Sequence, residues 1–598
     1  MASIERTHSC GQLRKDQVGQ TVSLAGWVNN YRDFGGVIFI DLRDRDGLTQ
    51  VVFHPAPGSE ATHKLADALR KEDVAWIKGK CLEREPGMAN PKLATGDVEV
   101  HASELVILNK AATPPFTPDE AERTGEETRL RYRYIDLRRP RMQHILRTRH
   151  RVMQTMRRYL DEHGFMEIET PFLCRSTPEG ARDFLVPSRL QAGSFYALPQ
   201  SPQIFKQILM VSGCERYMQI VRCFRDEDPR ADRQAEFTQL DLEMSFVDME
   251  DIIALVSGLA RRVWKEILDL EVGDIPRMPY AEAMNRFGSD RPDLRFGLEL
   301  VDVSDIARGM EFNVFKKALE AGGIVKAIRV PGGGTKLSRK ETDALAEWVK
   351  QFGAGGLPLT KIEGGKVSTG IAKFLEPVQA AMLERMGATD GDLIVFGVDA
   401  KPSVVHRVLG ELRLKIAKDL DLIPAGQWKW LWVVDFPLME YNPDEKRWDS
   451  LHHPFTAPMD EDIALMDSDP AKVRSKAYDL VLNGSEVGGG SIRIHDSATQ
   501  GKVFNLLGID DDAAKQKFGF LLDALRFGAP PHGGLAIGLD RMVMHLCGTT
   551  NIRDVIAFPK TQNGADLMSQ APSAVDDRQL RELHLRVQMP VKAPVKEA

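Results

Sequence analysis

The sequence predicts a multidomain α+β protein, and three observations predict it. A chain of 598 residues is too long for one hydrophobic core and calls for roughly three to five domains. Its opening stretch breaks into five short strand-like runs with a helical pattern after the third. Further on, Arg222 to Glu243 reads R-C-F-R-D-E-D-P-R-A-D-R-Q-A-E-F-T-Q-L-D-L-E, two strands of an antiparallel sheet joined by a long charged loop.

Composition narrows the class. Net charge is −7, so no global basic field announces a nucleic-acid partner, and RNA must be met by a local patch. Six cysteines (Cys10, Cys81, Cys174, Cys214, Cys223 and Cys547) are scattered without a C-x-x-C pair, which argues against a zinc ribbon or disulfide framework and for reduced thiols. No apolar run approaches the ~18 residues that span a bilayer, and the N-terminus M-A-S-I-E-R-T-H-S carries no apolar leader. The expectation is a cytoplasmic protein with no membrane partner.

Residues 1–110 carry the runs Thr21–Asn29, Val37–Leu42, Leu48–Phe53, Trp76–Leu82 and Asp97–Leu108, with a helical pattern at Ser59–Lys71. Turn signals such as Asp33-Phe34-Gly35-Gly36 and Asp46-Gly47 separate them. This is the layout of an OB-fold barrel, whose open face commonly binds single-stranded nucleic acid. Arg32, Phe39 and Gln50 are expected on that face. Val37, Phe39 and Asp41 share one side of their strand, so Phe39 either stacks on a base or belongs to the core.

Residues 111–140 form a Pro- and charge-rich linker ending in R-L-R-Y-R-Y-I-D-L-R-R-P-R. A helix from Pro140 to His163 follows, apolar on one face and stopped by Gly164. T-P-E-G-A-R-D-F-L-V-P (Thr177–Pro187) suits a mobile lid, with Glu179 as its contact. Q-S-P-Q-I-F-K (Gln200–Lys206) opens a helix that Ser201 can cap, with Gln203 and Lys206 on one face. In the charged hairpin loop, Arg225, Arg230 and Arg233 stand among Asp226, Glu227, Asp228 and Asp232, guanidinium forks suited to a polyphosphate. Residues 286–420 have their own strands (Val325–Val330, Asp392–Val398) and a helix (Glu341–Phe352), an inserted α/β domain with no catalytic constellation. His452 and His453 are adjacent, so on a strand they point apart: one meets a ligand and the other is structural. In S-I-R-I-H, Ser491, Arg493 and His495 share a face, and Arg493 can grip a carboxylate in bidentate fashion. Gly538-Leu539-Asp540 passes from strand to helix, with Arg541 in the first helical turn.

Taken in order, Q-S-P-Q-I-F-K, F-R-D-E-D-P-R-A-D-R-Q-A-E-F-T-Q-L-D, H-H-P-F-T, L-N-G-S-E-V-G-G-G-S-I-R-I-H and G-L-A-I-G-L-D-R give the chain a resemblance, over nearly its whole length, to the bacterial-type aspartyl-tRNA synthetases of class II. The resemblance implies an OB-fold anticodon-binding domain (1–110), a hinge (111–140) and a class II catalytic domain in two parts (141–285 and 421–560). That domain is built on an antiparallel sheet flanked by helices; the inserted domain (286–420) divides it, and an extension (561–598) follows.

The implied reaction activates L-aspartate with ATP and transfers it to tRNA(Asp). Asn30, Tyr31 and Phe34 depart from the more basic loop of strict relatives, which leaves charging of tRNA(Asn) open. Also implied are a homodimer, Mg²⁺ held by Asp479 and Glu486, and catalytic roles for Arg225 and Arg541. The implied ATP contacts are Arg225, Asp226, Glu227, Gln234, Phe237, Glu486, Gly538, Leu539, Asp540 and Arg541. Aspartate would be met by Glu179, Ser201, Gln203, Lys206, Arg225, Asp241, His452 and Arg493, with Lys206 and Arg493 on its side-chain carboxylate. The anticodon would be read by Arg32, Phe39, Gln50, Arg84 and Glu99. Asp479 and Glu486, seven residues apart, face one ion only if a bulge intervenes, which Gly484 would supply. Asparaginyl and lysyl relatives share the architecture; the Lys206 and Arg493 pair opposes lysine, and the inserted domain opposes the asparaginyl enzyme. An inactive RNA-binding relative is opposed by the presence of Arg225, Glu486 and Arg541.

Overall fold

A computed structural model describes residues 4–177, 181–228 and 230–589. The chain divides into two compact units, one of residues 1–151, 228–235 and 543–580, the other of residues 152–227, 236–542 and 581–598.

The first unit holds a closed five-stranded barrel, β1 (Thr21–Phe34), β2 (Val37–Arg43), β3 (Leu48–Phe53), β4 (Val74–Glu83) and β5 (Val98–Asn109), in the order β1-β2-β3-β5-β4, with helix α1 (Glu60–Asp67) between β3 and β4. Period-two alternation drives the inward residues together: Val22, Leu24, Val28, Ile38, Ile40, Val51, Ile77 and Val100 form one buried core. Strand β1 runs past the expected Asn29 to Phe34, because Asn30 to Phe34 continue the ladder opposite Val37–Asp41. In the same unit Arg133 is buried and donates to the carbonyls of Arg553, Ile556 and Ala557 at 3.0, 2.9 and 2.9 Å.

The second unit is built on an eight-stranded sheet. Its strands are β6 (Met166–Glu167), β7 (Arg216–Phe224), β8 (Glu236–Ser245), β9 (Arg277–Pro279), β10 (Trp430–Val434), β11 (Ala477–Leu482), β12 (Ser485–Ile492) and β13 (His532–Gly538). The order is β9-β10-β11-β12-β13-β8-β7-β6. All neighbours pair antiparallel except the two short edge strands, β9 and β6, which run parallel to β10 and β7. Helix α2 (Gln203–Val211) packs beside β8, and α3 (Met249–Leu268), capped reciprocally by Asp248 and Asp251, lays Trp264 edge-on to Trp430 at 4.7 Å. Helix α4 (Leu539–Leu546) leaves directly from β13.

Between β9 and β10 the chain forms a five-stranded antiparallel sheet: Leu300–Asp302, Ile324–Val330, Leu393–Asp399, Leu359–Glu363 and Lys366–Ser368, in that spatial order. Both its faces are covered. Ile328, Val330, Leu393 and Val395 enter one core with the helix Pro402–Asp419, and Val325, Ala327, Ile394 and Phe396 enter a second with Phe315 and Met382.

Glycine spacing sets how closely the central strands approach. A Cβ on Gly490 would lie 2.1 Å from the Gly534 carbonyl oxygen and one on Gly534 would lie 2.0 Å from Glu243 Oε2, so β12, β13 and β8 close only without those side chains. Gly490→Ala is expected to destabilise the protein by about 3 kcal/mol through overpacking, read as a lowered urea midpoint by tryptophan fluorescence. Gly501→Ala, whose added methyl meets nothing within 4 Å in the helix Ser497–Leu506, leaves the midpoint unchanged or raises it.

Candidate active site

Four buried charges meet on the central sheet. Lys206 on α2 places Nζ 2.9 Å from Asp241 Oδ1 and 3.3 Å from Glu243 Oε2. Arg493, just past β12, donates from Nε to Glu243 Oε1 at 2.8 Å and from Nη2 to Glu243 Oε2 at 3.1 Å. Its Nη1 donates to Ser491 Oγ at 2.8 Å and to His453 Nε2 at 2.6 Å. All four ionic side chains are 2 % exposed or less. Two cations and two carboxylates cancel, which makes burial tolerable; it still costs several kcal/mol per ion and is weak support for stability.

Lys206 and Arg493 thus carry internal counter-ions in Asp241 and Glu243. Glu243 escaped the sequence reading although it had a signal, lying two residues beyond Asp241 on the same face of β8. Burial opposes the charge on Glu243, yet Arg493 and Lys206 hold its carboxyl below the usual range. Burial and then Arg493 push the His453 imidazole well below its ordinary pKa, so it stays neutral.

Around the quartet stand buried polar atoms without a partner among the described residues: Gln203 Nε2, Asp241 Oδ2 and His452 Nδ1. Orphans cost about 1–3 kcal/mol each, and these three suit a polar ligand that satisfies them. Ser201 Oγ accepts from Gln203 N at 3.2 Å, pinning the start of α2. Glu179 lies outside the described residues.

Asp479 on β11 pairs with Gly489 on β12, and Glu486 on β12 pairs with Val481 on β11. The register slips between Leu480 and Val481, where Gly488 and Glu486 are the successive partners. The bulge therefore sits at Val487, not at Gly484, which instead forms the two-residue turn with Asn483, both at positive φ. A Cβ on Gly489 would lie 2.6 Å from Asp479 Oδ1 and 3.3 Å from Glu486 Oε1, so both carboxylates converge over this glycine. Asp479 first, and burial next, raise the Glu486 carboxyl above its ordinary value. His452 Nε2 is 3.5 Å from Asp479 Oδ1, and that carboxylate outweighs burial to raise the imidazole. Two converging carboxylates, one raised by the other, fit a hard, oxygen-seeking divalent cation such as Mg²⁺.

The charged loop contributes Arg225, whose guanidinium lies 5.1 Å over the Phe237 ring, a half-exposed arginine and aromatic in stacking contact. Asp226 N donates to Arg182 O at 3.0 Å and Glu227 follows it, half-buried. Arg541 Nη1 donates to the Glu486 carbonyl. A Cβ on Gly538 would meet no atom closer than 3.8 Å, Leu539 is buried in the core, and Asp540 Oδ2 accepts from Thr238 N at 2.8 Å, bracing α4 against β8. Gln234 belongs to the first unit, where its Oε1 accepts from Lys560 N at 2.9 Å.

On the barrel, Arg32 bonds Asp41 Oδ1 at 3.0 Å and Gln50 Oε1 at 3.3 Å, and Gln50 Nε2 bonds Glu99 Oε2 at 2.8 Å. Burial opposes the charge on Glu99; hydrogen bonds from His101 and Gln50, with the field of Arg84 beyond, hold its carboxyl low. Phe39 is half-exposed on the same side, 6.0 Å from Phe34, while Ile38 and Ile40 are buried. The face is a polar strip with an accessible aromatic, the make-up of a single-strand reader.

Comparison with known proteins places both units. The family model described as tRNA synthetases class II (D, K and N) matches residues 125–562, and that of the OB-fold nucleic acid binding domain matches residues 22–108. Over 98 % of this chain and 99 % of the relative, the sequence is 55 % identical to the aspartate–tRNA(Asp/Asn) ligase of Halothermothrix orenii. It is 52 % identical, over the same shares, to the aspartate–tRNA ligase of Staphylococcus carnosus. Among solved structures, asparaginyl-tRNA synthetase from Pyrococcus horikoshii complexed with asparaginyl-adenylate aligns with a TM-score of 0.57 at 20 % identity, covering 93 % of this chain and 98 % of that one. Aspartyl tRNA synthetase from Entamoeba histolytica aligns with a TM-score of 0.56 at 18 % identity, covering 93 % and 91 %. At these identities the structural likeness speaks for the fold.

Removing one carboxylate from the quartet leaves surplus buried positive charge. Glu243→Gln is expected to lower stability by about 3 kcal/mol at pH 7, measured by urea denaturation. Because its folded pKa lies below the unfolded one, the Glu243 contribution is present above pH ~4.5 and fades as pH falls through the folded value, so the variant loses part of the acid-side decline. Glu486 has the opposite sign: its raised pKa gives a contribution present at low pH and lost as pH rises through the folded value. In EDTA at pH 8, Asp479→Asn relieves that repulsion and is expected to raise the thermal midpoint by roughly 2 °C, the equivalent of ~1 kcal/mol.

Proposed function

The chain belongs to the class II tRNA synthetases of the aspartate, lysine and asparagine group, and from that premise we propose that it is an aspartate–tRNA ligase that charges both tRNA(Asp) and tRNA(Asn). The observation that carries the reading is the buried charge quartet with its ring of orphaned polar atoms, in a chain 55 % identical to an aspartate–tRNA(Asp/Asn) ligase from end to end of both.

In the first step an α-carboxylate oxygen of aspartate attacks the α-phosphorus of ATP. The bond to the β-phosphate oxygen breaks, leaving aspartyl-adenylate and pyrophosphate. The carboxylate is already ionised, so no general base is needed; the protein orients the reactants and offsets charge gathering on the phosphate. Arg225 grips the α-phosphate, Phe237 stacks on the adenine, Arg541 holds the distal phosphates, and Glu227 makes a further nucleotide contact. Asp241 presents its orphaned Oδ2 to the substrate ammonium. Arg493, fixed in plane by Glu243, Ser491 and His453, offers its remaining N–H to the side-chain carboxylate, with Lys206, Gln203 and His452 around it. Asp479 and Glu486 would hold Mg²⁺, which when bound would neutralise phosphate charge. In the second step a terminal ribose hydroxyl of the tRNA attacks the acyl carbon and AMP leaves.

A neutral amide in place of the substrate carboxylate would leave an Arg493 N–H without a charged acceptor, at a cost of roughly 1–3 kcal/mol. On the barrel, Arg32, Phe39, Gln50, Arg84 and Glu99 read the anticodon. Asn30 is committed to Asp41 at 3.1 Å, and Tyr31 packs on the barrel core, so neither adds charge that would reject a different base. The names of several relatives include both tRNAs, which supports dual charging. A homodimer and a cytoplasmic site of action complete the proposal.

The test is amino-acid-dependent exchange of labelled pyrophosphate into ATP. Exchange with aspartate but not asparagine or lysine is expected, and Arg493→Ala is expected to lose about a hundredfold or more in kcat/KM, the equivalent of ~3 kcal/mol. Folded protein inert towards all three amino acids would sink the enzyme reading. Purified tRNA(Asp) and tRNA(Asn) should both accept aspartate; refusal of tRNA(Asn) would overturn only the dual specificity.

A further inference from the structure

Glu99, on β5 of the barrel, is gripped through both its oxygens. His101 lies two residues further along the same face of β5, and its Nε2 is 2.8 Å from Glu99 Oε1. Because a carboxylate only accepts, that nitrogen carries the proton. Gln50 Nε2 donates to the other oxygen at 2.8 Å. Each donor is itself held. Gln50 Oε1 accepts from Arg32, which Asp41 fixes in turn, and the His101 ring lies against the His54 ring with centroids 4.7 Å apart. His54 stands just past β3, whose Val52 is the register partner of His101, and its carbonyl accepts from Ser59 Oγ at 2.8 Å.

A cation that could take the same carboxylate stands beside it. Leu82 on β4 pairs with Glu99, and Arg84, two residues beyond Leu82, donates from its backbone N–H to Asp97 O at 3.0 Å and from Nε to Val98 O at 3.2 Å. Arg84 and Glu99 are therefore diagonal neighbours on one face, a separation that long side chains span. Coulomb attraction alone would close them into an ion pair. Instead Arg84 Nη2 is buried and without a partner among the described residues. A donor left unmade costs about 1–3 kcal/mol, and an acceptor from outside the chain would satisfy it.

We propose that His101 is a positioning residue of the anticodon-reading face: by holding Glu99 Oε1 it keeps that carboxylate from closing onto Arg84, and so leaves an acceptor and a donor side by side for an RNA base. The inference rests on the reading of this barrel face as the anticodon contact. Base edges offer donors beside acceptors, and single-stranded RNA is recognised on such edges. A closed Arg84–Glu99 pair would meet a base with its groups already spent on one another. The held-apart pair meets it with the orphaned Nη2 of Arg84 and with the lone pairs of Glu99 that His101 and Gln50 leave unused. His54, ring against ring, limits the rotation of His101 and so the direction in which Glu99 points.

The test is aminoacylation of purified tRNA(Asp) by the full chain. His101→Phe keeps a ring against His54 and removes the donor; it is expected to raise KM for the tRNA about tenfold, the equivalent of ~1.4 kcal/mol, with kcat and circular dichroism held. His101→Gln, which restores an N–H of similar reach, is expected to bring KM back to within about twofold of the parent. In an Arg84→Ala background no ion pair can close, so adding His101→Phe is expected to cost less than about twofold more. Glu104→Gln, an exposed acid on the same strand paired with Lys78 at 2.9 Å, leaves KM unchanged. A parent-like KM for His101→Phe, a His101→Gln as impaired as His101→Phe, or the same loss repeated in the Arg84→Ala background overturns the role of His101 while the anticodon reading stands. A parent-like KM for Glu99→Gln overturns that reading, and this inference with it.

Discussion

The constraint on which the second unit depends is the burial of four charges in one contiguous network. Lys206 comes from a helix, Asp241 and Glu243 from one strand, and Arg493 from the end of another. Each is tolerable inside only because the others neutralise it. The network therefore dictates packing: Gly534 has no side chain because Glu243 occupies that space, and Tyr478 Oη donates to the Gly534 carbonyl at 3.0 Å. Apolar residues of similar volume would give a core at least as stable. What they would not give is a pocket whose Arg493 is held in one plane and whose Asp241 keeps a free oxygen.

The carboxylate hairpin shows the complementary case, with like charges brought together. Asp479 and Glu486 converge because the bulge at Val487 turns two side chains that strict alternation would separate onto one face. The repulsion, with burial, raises the Glu486 carboxyl above its ordinary value. Its support comes from outside the sheet, since Gly484 abuts Asp293 at the start of the insertion. An insertion at this point is thus part of the scaffold of the site as well as a separately cored body with hydrophobic clusters on both its faces.

Much of this was legible in the chain. The barrel followed from period-two alternation and turn residues, and its five strands fall within two residues of where the pattern put them except at the end of β1, which pairing with β2 carries five residues further through polar residues whose own pattern is silent. The hairpin at Phe224 and Glu236 and the strand-to-helix passage at Gly538 were equally local. The site was harder. Gln203 and Lys206 share a helix face by spacing, but Asp241 and Glu243, which pair with Lys206, lie 35 or more positions away in sequence, and Arg493, which pairs with Glu243, lies further still; no local rule pairs them.

The sequence by itself determined the fold class, the family and the identities of the charged residues, because strand alternation, glycine turns and ordered motifs are properties of neighbours along the chain. Only the tertiary structure decided which charge meets which. It showed that Lys206 and Arg493 are already neutralised, that Glu243 is the hub, that the bulge lies at Val487, and that the insertion root reaches the hairpin. The physical reason is that Coulomb pairing and desolvation act through space: their strength depends on separation and burial, which the order of residues does not encode locally.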